Sequence, residues 1–254
     1  MKTHILASAI VLTCSLGLSV MAAMSGGTSG SQGTVFSGQT TTTAEPIYEG
    51  GPRRFGFGVY YFDQRRGMTG DSIPNDQEWK VQHLMGYVGY DVLRWLTVEA
   101  GAGQSKLEIE DQSGDEDFEW MAGAQVRLLD HMALDPVVGE DAYWVGLDGQ
   151  IHYVGTTFER DFGGDIDWHE LFGAITVSFT ARPEVSGFVN RVGLYFGPAF
   201  STISADRDDG DADEDQSFGF IGGLTVNPSD NMSITIEVQG FGNASLGAAF
   251  GFHF

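Results

Sequence analysis

From residue 55 to the C-terminus, the chain alternates apolar positions with polar or glycine positions at a period of two. In the first run, Phe57, Val59 and Tyr61 alternate with Gly58 and Tyr60. Successive side chains of a β-strand point to opposite faces of its sheet, so each run predicts a strand with one apolar face. The later runs lie at 79–90, 96–103, 118–127, 143–153, 170–179, 191–201, 217–226, 232–239 and 246–254. The pattern predicts an all-β fold of ten strands, and it contains no apolar run of about 18 residues that would indicate a transmembrane helix.

Strands with one apolar face fit two architectures. In a membrane barrel the apolar faces point outward to lipid, and the sheet must close because no backbone group can stay unpaired in hydrocarbon. In a soluble sandwich or lipocalin-like barrel, the apolar faces point inward to a core. The period of two alone does not distinguish these alternatives.

The connections between the runs alternate in character, and this alternation favours the membrane architecture. Four connections are rich in acidic and polar residues: Arg65–Gln77, Glu110–Asp117, Arg160–Asp167 and Asp206–Gln216. The connections between them are shorter or contain turn residues: Asp91–Trp95, Leu129–Asp141, Ala181–Val189 and Asn227–Asn231. Membrane barrels of bacteria have longer loops on the outer side and short turns on the periplasmic side. We therefore predict a closed antiparallel transmembrane β-barrel with acidic extracellular loops and with both ends in the periplasm.

Residues 1–22 have the parts of a secretory signal peptide. Lys2 provides a positive start, an apolar stretch runs from Ile5 to Met21, and small residues precede a cleavage point after Ala22. An uncleaved membrane anchor is one alternative, since a helical span needs about 20 residues. Lipidation at Cys14 is another, although the residues before it match a lipidation motif poorly. Residues 23–52 are rich in Gly, Ser and Thr and predict a flexible periplasmic leader, which leaves 53–254 for the barrel.

The composition narrows the class of protein further. There are 35 acidic and 13 basic residues, and the net charge of −22 argues against a nucleic-acid partner because phosphate would be repelled. The 36 glycines suit a tight barrel interior better than helices, where each would cost about 1 kcal/mol relative to alanine. Cys14 is the single cysteine, so no intrachain disulfide or multi-cysteine metal site can form. Five tryptophans near strand ends are expected in the aromatic girdles at the membrane surfaces: Trp79, Trp95, Trp120, Trp144 and Trp168.

The last strand ends on alternating aromatic residues, Phe250, Phe252 and Phe254. This ending resembles the assembly signal that the barrel-assembly machinery reads on the last strand of bacterial outer-membrane barrels. Together with the signal peptide, residues 55–254 resemble the family of small outer-membrane β-barrels that includes OmpA-like and OmpW-like barrels. The resemblance implies a monomer in the bacterial outer membrane, surrounded by its lipids and lipopolysaccharide, without a cofactor. Members of this size more often have eight strands, so eight is the alternative to ten.

Charged residues on the polar faces of the strands would point into the lumen. They are Glu99, Arg127, Asp148, His152, Arg191 and Glu237. The lumen of a small barrel is filled by side chains, and buried charges need partners. We expect these residues to form a structural network that plugs the lumen, and a gate for small solutes is the functional alternative.

Two acidic segments are candidates for chemistry. The first carries carboxylates, the ligands that Ca²⁺ and Mg²⁺ prefer, but its spacing matches an EF-hand only loosely. Its aspartates are Asp206, Asp208, Asp209, Asp211, Asp213 and Asp215. They predict either a solvated loop or a loop that binds cations bridging to lipopolysaccharide. The second segment contains Asp165, Asp167, His169 and Glu170, and an Asp–His pair at a barrel rim could activate water.

The leading functional hypothesis is therefore a non-enzymatic outer-membrane barrel that serves envelope structure or surface interaction through its acidic loops. A narrow porin-like channel for small or hydrophobic solutes is the second hypothesis. A hydrolase at the rim is the third, and it is disfavoured because the sequence has no second acidic pair to face the first. The remaining histidines are scattered and predict no metal-ligand cluster.

Overall fold

A computed structural model describes residues 55–70, 73–93, 95–109, 112–134, 141–159, 164–181, 189–207, 210–229 and 231–254. The side chains of 73–76, 112, 130–134 and 141–144 fall outside this description. The signal peptide, its cleavage point and the leader that the sequence predicts also lie outside the described residues. Among the described residues, no helix is long and apolar enough to span a membrane.

The described chain forms one antiparallel sheet that closes on itself. Its strands are β1 (Phe55–Gly70), β2 (Ile73–Leu93), β3 (Leu96–Ile109), β4 (Gln112–Leu134), β5 (Asp141–Phe158), β6 (Ile166–Ala181), β7 (Arg191–Arg207), β8 (Ala212–Glu214), β9 (Phe218–Ser229), β10 (Met232–Phe241) and β11 (Asn243–His253). Ten of them follow one another around the barrel, with β9 paired to β7 and β11 paired to β1. The prediction of a closed ten-stranded barrel is confirmed, and the alternative of an eight-stranded barrel is wrong.

The first and last barrel strands close the wall over eight paired positions, from Gly56 opposite His253 to Asp63 opposite Leu246. The amide of Phe254 donates to the carbonyl of Phe55 at 2.9 Å, so the two ends of the barrel chain meet at one rim. We call this rim the terminal end.

The outward face of the barrel carries a continuous apolar band. We define the band by the outward residues of 55–61, 84–90, 96–102, 118–128, 145–153, 171–181, 192–200, 218–226, 232–238 and 246–254. Its large side chains are about 40–70 % exposed, for example Phe118 at 68 %, Ile236 at 51 % and Phe220 at 59 %. A surface of this kind needs lipid around it. The apolar faces therefore point outward, and the soluble alternative with inward apolar faces does not hold over this band.

The strands continue past the band, away from the terminal end, as a collar. We define the collar as 62–70, 77–83, 104–109, 113–117, 155–158, 166–170, 201–207 and β8. Its outward positions are polar, such as Asp63, Gln82 and Lys106. Beyond the polar inward residues at its base, inward positions such as Met68 and Ile203 are apolar and fully buried. This inversion of polarity is what water on the outside of the wall requires.

The collar corrects the prediction of acidic loops. β1 runs to Gly70, β2 begins at Ile73, and β4 begins at Gln112, so the sheet continues through segments that were expected to be loops. β8 lies within another of them. The corrected segments are Arg65–Gln77, Glu110–Asp117 and Asp206–Gln216. Their charged composition suggested loops. A strand outside the membrane can have the same composition, because its polar side chains occupy the outward positions while its backbone stays paired.

The collar also corrects the prediction for two tryptophans. Trp79 and Trp168 are fully buried inside the collar, with ring centroids 6.2 Å apart, and do not lie in a girdle. Both tryptophans occupy inward positions of their strands, where the neighbouring inward side chains are apolar. Trp95 and Trp120 face outward and are 45 % and 42 % exposed, as a girdle requires. The side chain of Trp144 is outside the described residues.

Two tyrosines explain why glycine is needed inside the barrel. Tyr87 is the register partner of Gly58, and Tyr195 is the partner of Gly223. A Cβ atom at either glycine would lie 2.3 Å from the hydroxyl oxygen of its tyrosine. Each ring therefore lies directly over the neighbouring backbone, and only glycine leaves room for it.

A charge in the band should be far more costly than a charge on the collar. We expect Ile236→Arg to lower the free energy of unfolding by about 2–4 kcal/mol, because the side chain would face lipid near the middle of the band. The measurement is denaturant unfolding in lipid vesicles, followed by tryptophan fluorescence. The control Gln82→Arg, outward on the collar, should change the unfolding free energy by less than about 1 kcal/mol. Equal effects of both variants would contradict the position of the band.

Candidate functional site

The lumen is the candidate site, and its inward side chains form four layers. Starting from the terminal end, these are a polar layer, an aromatic layer, a charged layer at the base of the collar and an apolar cap inside the collar. Along β1 the last three appear in order as Tyr60 and Phe62, then Gln64 and Arg66, then Met68.

All six charged residues that the sequence predicts for the lumen lie on the inward face, in or beside the polar layer. Arg127 Nε lies 2.9 Å from Asp148 Oδ1, and Ser178 donates to Asp148 Oδ2 at 3.0 Å. Arg127 and Asp148 are partly exposed, whereas Arg191 is buried.

The other predicted lumen residues are deeper. Glu99 and His152 are both buried, with Glu99 Oε1 4.0 Å from His152 Nε2. Glu237 is fully buried and accepts hydrogen bonds from Tyr195 at 2.5 Å and from Gln239 at 3.0 Å. The structure thus places these residues in the lumen beside polar partners, and their joining into one network that plugs the lumen stays a prediction.

The aromatic layer fills the middle of the lumen. Its buried members are Tyr60, Phe62, Met85, Tyr87, Met121, Val154, Phe172, Ala174, Tyr195, Ala199, Ile221 and Phe241. Phe172 and Phe241 meet edge to face near the centre, with ring centroids 6.2 Å apart. Side chains from eight of the ten barrel strands contribute to this layer, and the partly buried Ala249 of β11 packs against it, so the layer crosses the whole lumen.

The charged layer is built around Arg66, which sequence reasoning assigned to a loop. Arg66 Nε lies 2.9 Å from Glu214 Oε1 on β8, and Nη2 lies 3.6 Å from Glu170 Oε1 on β6. The guanidinium carbon lies 4.1 Å from the centre of the Phe241 ring on β10. Arg66 also donates to Ser245 on β11 at 3.4 Å. One fully buried cation therefore joins β1 to four other strands.

Hydrogen bonds extend this layer across the lumen through Gln64. Its amide nitrogen donates to both oxygens of Glu170, at 3.0 and 2.9 Å. Its amide oxygen can only accept, so the contact of 2.9 Å to His83 Nε2 requires a proton on that nitrogen. His83 Nδ1 lies 2.6 Å from Glu119 Oε1. The His83–Glu119 pair thus shares one further proton, and with that proton it is neutral as a unit.

A count of charge shows that the layer has one carboxylate in excess. With the His83–Glu119 pair neutral, Arg66 carries one positive charge against Glu170 and Glu214. Burying an uncompensated charge is costly, so one carboxylate should hold a proton near neutral pH. Glu214 is the candidate because burial in the collar raises the pKa of its carboxyl to about 7, with Arg66 opposing and Glu170 reinforcing that rise.

The apolar cap closes the lumen beyond the charged layer. Its buried members are Met68, Trp79, Val81, Leu107, Ile109, Phe158, Ile166, Trp168, Ile203, Ala205 and Ala212. The last of these belongs to β8, so β8 supplies both a carboxylate to the charged layer and a methyl group to the cap.

Sequence reasoning did not identify Arg66, Gln64 or Glu214 as lumen residues. The signal was present in β1, where the period of two continues unbroken from Tyr60 through Gln64 to Met68. The charged composition of the segment was given more weight than its period. A strand whose inward positions change from polar to apolar would have indicated that it leaves the membrane.

The candidate hydrolase residues do not form a catalytic pair facing a cleft. Asp167 and His169 point to the outside of the wall, where Thr157 donates to Asp167 at 2.7 Å and His169 stacks on Tyr153. Glu170 points inward to Arg66, on the opposite face. Asp165 is exposed beyond the strand end.

The candidate cation segment is divided by β8. Asp206 faces outward at the end of β7, and three others are exposed on or beside β8: Asp211, Asp213 and Asp215. Asp208 and Asp209 lie outside the described residues. Within the part of the chain that the structure describes, no three His, Cys, Asp or Glu side chains are grouped as metal ligands. Cation binding by this segment stays a prediction.

The aromatic C-terminal residues lie on the lipid-facing side beside β1. The ring of Phe57 is 5.7 Å from the rings of both Phe252 and Phe254, and Phe250 meets Phe252 edge to face at 4.9 Å. The residues that resemble an assembly signal therefore line the junction where the barrel closes.

No family model and no curated protein matches the chain. Among solved structures it is similar to the translocator domain of the autotransporter NalP from Neisseria meningitidis, at 10 % identity and a TM-score of 0.43 over 82 % of this chain and 89 % of that one. It is also similar to an outer membrane channel from Pseudomonas putida F1, at 12 % identity and a TM-score of 0.36 over 84 % and 100 % of the two chains. The outer membrane protease OmpT from Escherichia coli is similar at 11 % identity and a TM-score of 0.35, over 80 % and 96 %.

Removing the buried cation should destabilise the collar strongly. We expect Arg66→Met to lower the free energy of unfolding by about 3–5 kcal/mol, because it removes the positive charge that balances the ionised carboxylate of the layer. Unfolding in lipid vesicles measures the effect. The matched control is Arg65→Met on the neighbouring, half-exposed residue, whose surface ion pairs should contribute about 0–1 kcal/mol. Similar losses in the two variants would show that Arg66 does not hold the layer together.

Proposed function

We propose that this protein is a non-enzymatic barrel of the bacterial outer membrane that acts as a closed structural element with an acidic collar for surface interaction. The observation that carries the proposal is the filled lumen. The aromatic layer, the charged layer and the apolar cap lie one above another, and a conducting pore would have to pass through all three. A barrel built in this way supports a rigid surface outside the membrane better than it supports transport.

The location follows from the band, the collar and the chain ends taken together. The apolar band requires lipid, and the signal peptide predicted at residues 1–22 would deliver the chain across the inner membrane. The aromatic ending at Phe250, Phe252 and Phe254 fits recognition by the barrel-assembly machinery. Both ends of the barrel chain lie at the terminal end, and the leader predicted before the barrel is periplasmic. The collar, at the opposite end, is therefore the extracellular side. The wall of the barrel closes within one chain through the pairing of β1 with β11, and we propose a monomer.

The collar surface fits lipopolysaccharide as its partner, with divalent cations between the two. The exposed carboxylates on the collar and directly beside it include Glu78, Asp115, Glu116, Glu159, Asp165, Asp167, Asp206, Asp211, Asp213 and Asp215, and the described basic residues among them are Arg65, Lys80 and Lys106. A surface with this excess of carboxylate would repel the phosphates of lipopolysaccharide directly. Ca²⁺ or Mg²⁺ prefers oxygen ligands of both kinds and could bridge them. The collar begins where the band ends, which is the level of these phosphates.

A closed lumen should give no steady current. We expect the purified, refolded barrel to show no stable single-channel conductance in planar bilayers, because buried side chains of the aromatic layer and of the apolar cap fill the lumen. An open porin reconstituted in the same bilayers serves as the positive control for insertion. Large, long-lived and uniform current steps from this protein would overturn the proposal and favour the channel hypothesis.

Binding of lipopolysaccharide should require divalent cations and the collar carboxylates. We expect fluorescent lipopolysaccharide to bind the protein in neutral detergent with Ca²⁺ present, and to be released by a chelator. Replacing Asp211, Asp213 and Asp215 by Asn should weaken this binding several-fold, since it removes three exposed carboxylates. Lys106→Gln, which removes a positive charge from the same collar, is the control and should not weaken it. Binding that survives the chelator would exclude the cation bridge.

A further inference from the structure

The collar wall is completed by a short segment that does not belong to the ten-stranded barrel. β9, β10 and β11 are 12, 10 and 11 residues long, whereas their neighbours β1 and β7 have 16 and 17. Above the shorter strands, β1 and β7 would face each other across a gap. β8 occupies this gap, so the collar is ringed by eight strands above a barrel of ten.

The pairing of β8 to the wall is brief. Its three residues pair with Met68, Thr69 and Gly70 of β1, and two of them pair with Ser204 and Ala205 of β7. One further backbone hydrogen bond joins the amide of Asp215 to the carbonyl of Gly67, at 3.0 Å. Every other strand of the wall is held to its neighbours by eight or more paired residues. β8 is therefore the least firmly attached part of the described wall.

A buried side chain attaches β8 to the inside of the wall. The side chain of Glu214 is 2 % exposed, and its Oε1 lies 2.9 Å from Arg66 Nε. Arg66 also contacts Gln239, Ser245 and the ring of Phe241, all at or near the tip of the β10–β11 hairpin. Arg66 thus lies directly behind the seam between β8 and the hairpin, and it holds both sides.

We propose that β8 and its described flanks, residues 210–217, form a detachable part of the wall that opens the collar sideways, and that the contact of Glu214 with Arg66 is the catch that keeps it closed. Detachment leaves the ten-stranded barrel and its aromatic layer intact. It exposes the apolar cap to water through the gap between β1 and β7. The inference goes beyond the proposed function, since a closed lumen below the collar is compatible with either state of β8.

Burial of the Glu214 carboxyl, opposed by Arg66 and reinforced by Glu170, makes the catch sensitive to pH. Arg66 faces it from β1 and Glu170 from β6, with His83 of β2 and Glu119 of β4 behind them, and the polar groups nearby are Ser201, Gln239 and Ser245. In the closed state the pKa of Glu214 is about 7, against an ordinary value of 4.5 in water. The closed state therefore binds a proton that the open state releases as the pH rises from about 4.5 to 7. The opening equilibrium constant should increase over this range, by on the order of 10²-fold at most.

The test follows the accessibility of the cap. In a background with Trp95, Trp120 and Trp144 replaced by Phe, the remaining Trp79 and Trp168 report on the cap alone. The refolded barrel in neutral detergent is quenched with acrylamide at pH 5 and at pH 8, and folding is checked by gel mobility before and after boiling. We expect the quenching constant to rise several-fold between the two pH values.

Two variants decide whether β8 and its catch cause this rise. Glu214→Gln removes the titrating group and should leave quenching nearly the same at both pH values. Asp213→Asn, the exposed neighbour on the same strand, is the matched control and should behave like the parent protein. Hydrogen exchange measured by mass spectrometry, corrected for intrinsic rates, should accelerate with pH in peptides covering 210–217 and not in those covering β6. The proposal is overturned if the parent shows no rise, if Glu214→Gln rises as the parent does, or if exchange accelerates equally in β6.

Discussion

Unpaired strand edges are costly in hydrocarbon and beside an apolar interior, and closure of the sheet is the constraint on which this structure depends. Within the band, β1 meets β11 and the wall is complete. Above the band, the three last strands end early, and a three-residue strand supplies the missing pairing. Without it, backbone groups of β1 and β7 would face solvent next to an open apolar core. Arg66 lies at the level where closure of the wall by β11 is replaced by closure through β8.

The medium outside the wall decides which face of each strand is apolar. In the band the outside is lipid, so Val59 and Tyr61 point out while the interior holds polar and aromatic side chains. In the collar the outside is water, and the same strand turns its apolar Met68 inward. The change takes place within a few residues of β1, at Gln64 and Arg66. The buried charged layer thus marks the level at which the surroundings of the barrel change from lipid to water.

Much of the architecture could be predicted from the period of two, because lipid-facing strands need one uniformly apolar face. The strand count follows from the period, and the alternating character of the connections adds the outward faces and hence the closure. The collar could not be derived in the same way, since acidic segments such as Arg65–Gln77 have the composition of loops and only the tertiary pairing of β1 with β2 shows them to be strands. The site was predicted in part: Glu99, His152 and Glu237 are buried in the lumen. Glu214 was assigned to a solvated segment, because nothing local indicates that a residue among seven carboxylates is buried against Arg66.

The junction of β1 with β11 also has a consequence for how the chain reaches its native state. Gly56 and His253 are paired neighbours that are separated by nearly the whole folded chain, whereas every other barrel junction joins strands close in sequence. Loop-closure entropy makes such a contact slow to form, so the hairpins have time to assemble first. Until the last junction forms, the sheet has two open edges that lipid cannot satisfy. Insertion and closure are thereby coupled into one late, cooperative event, and the speed of assembly depends on how readily a single pair of strands meets.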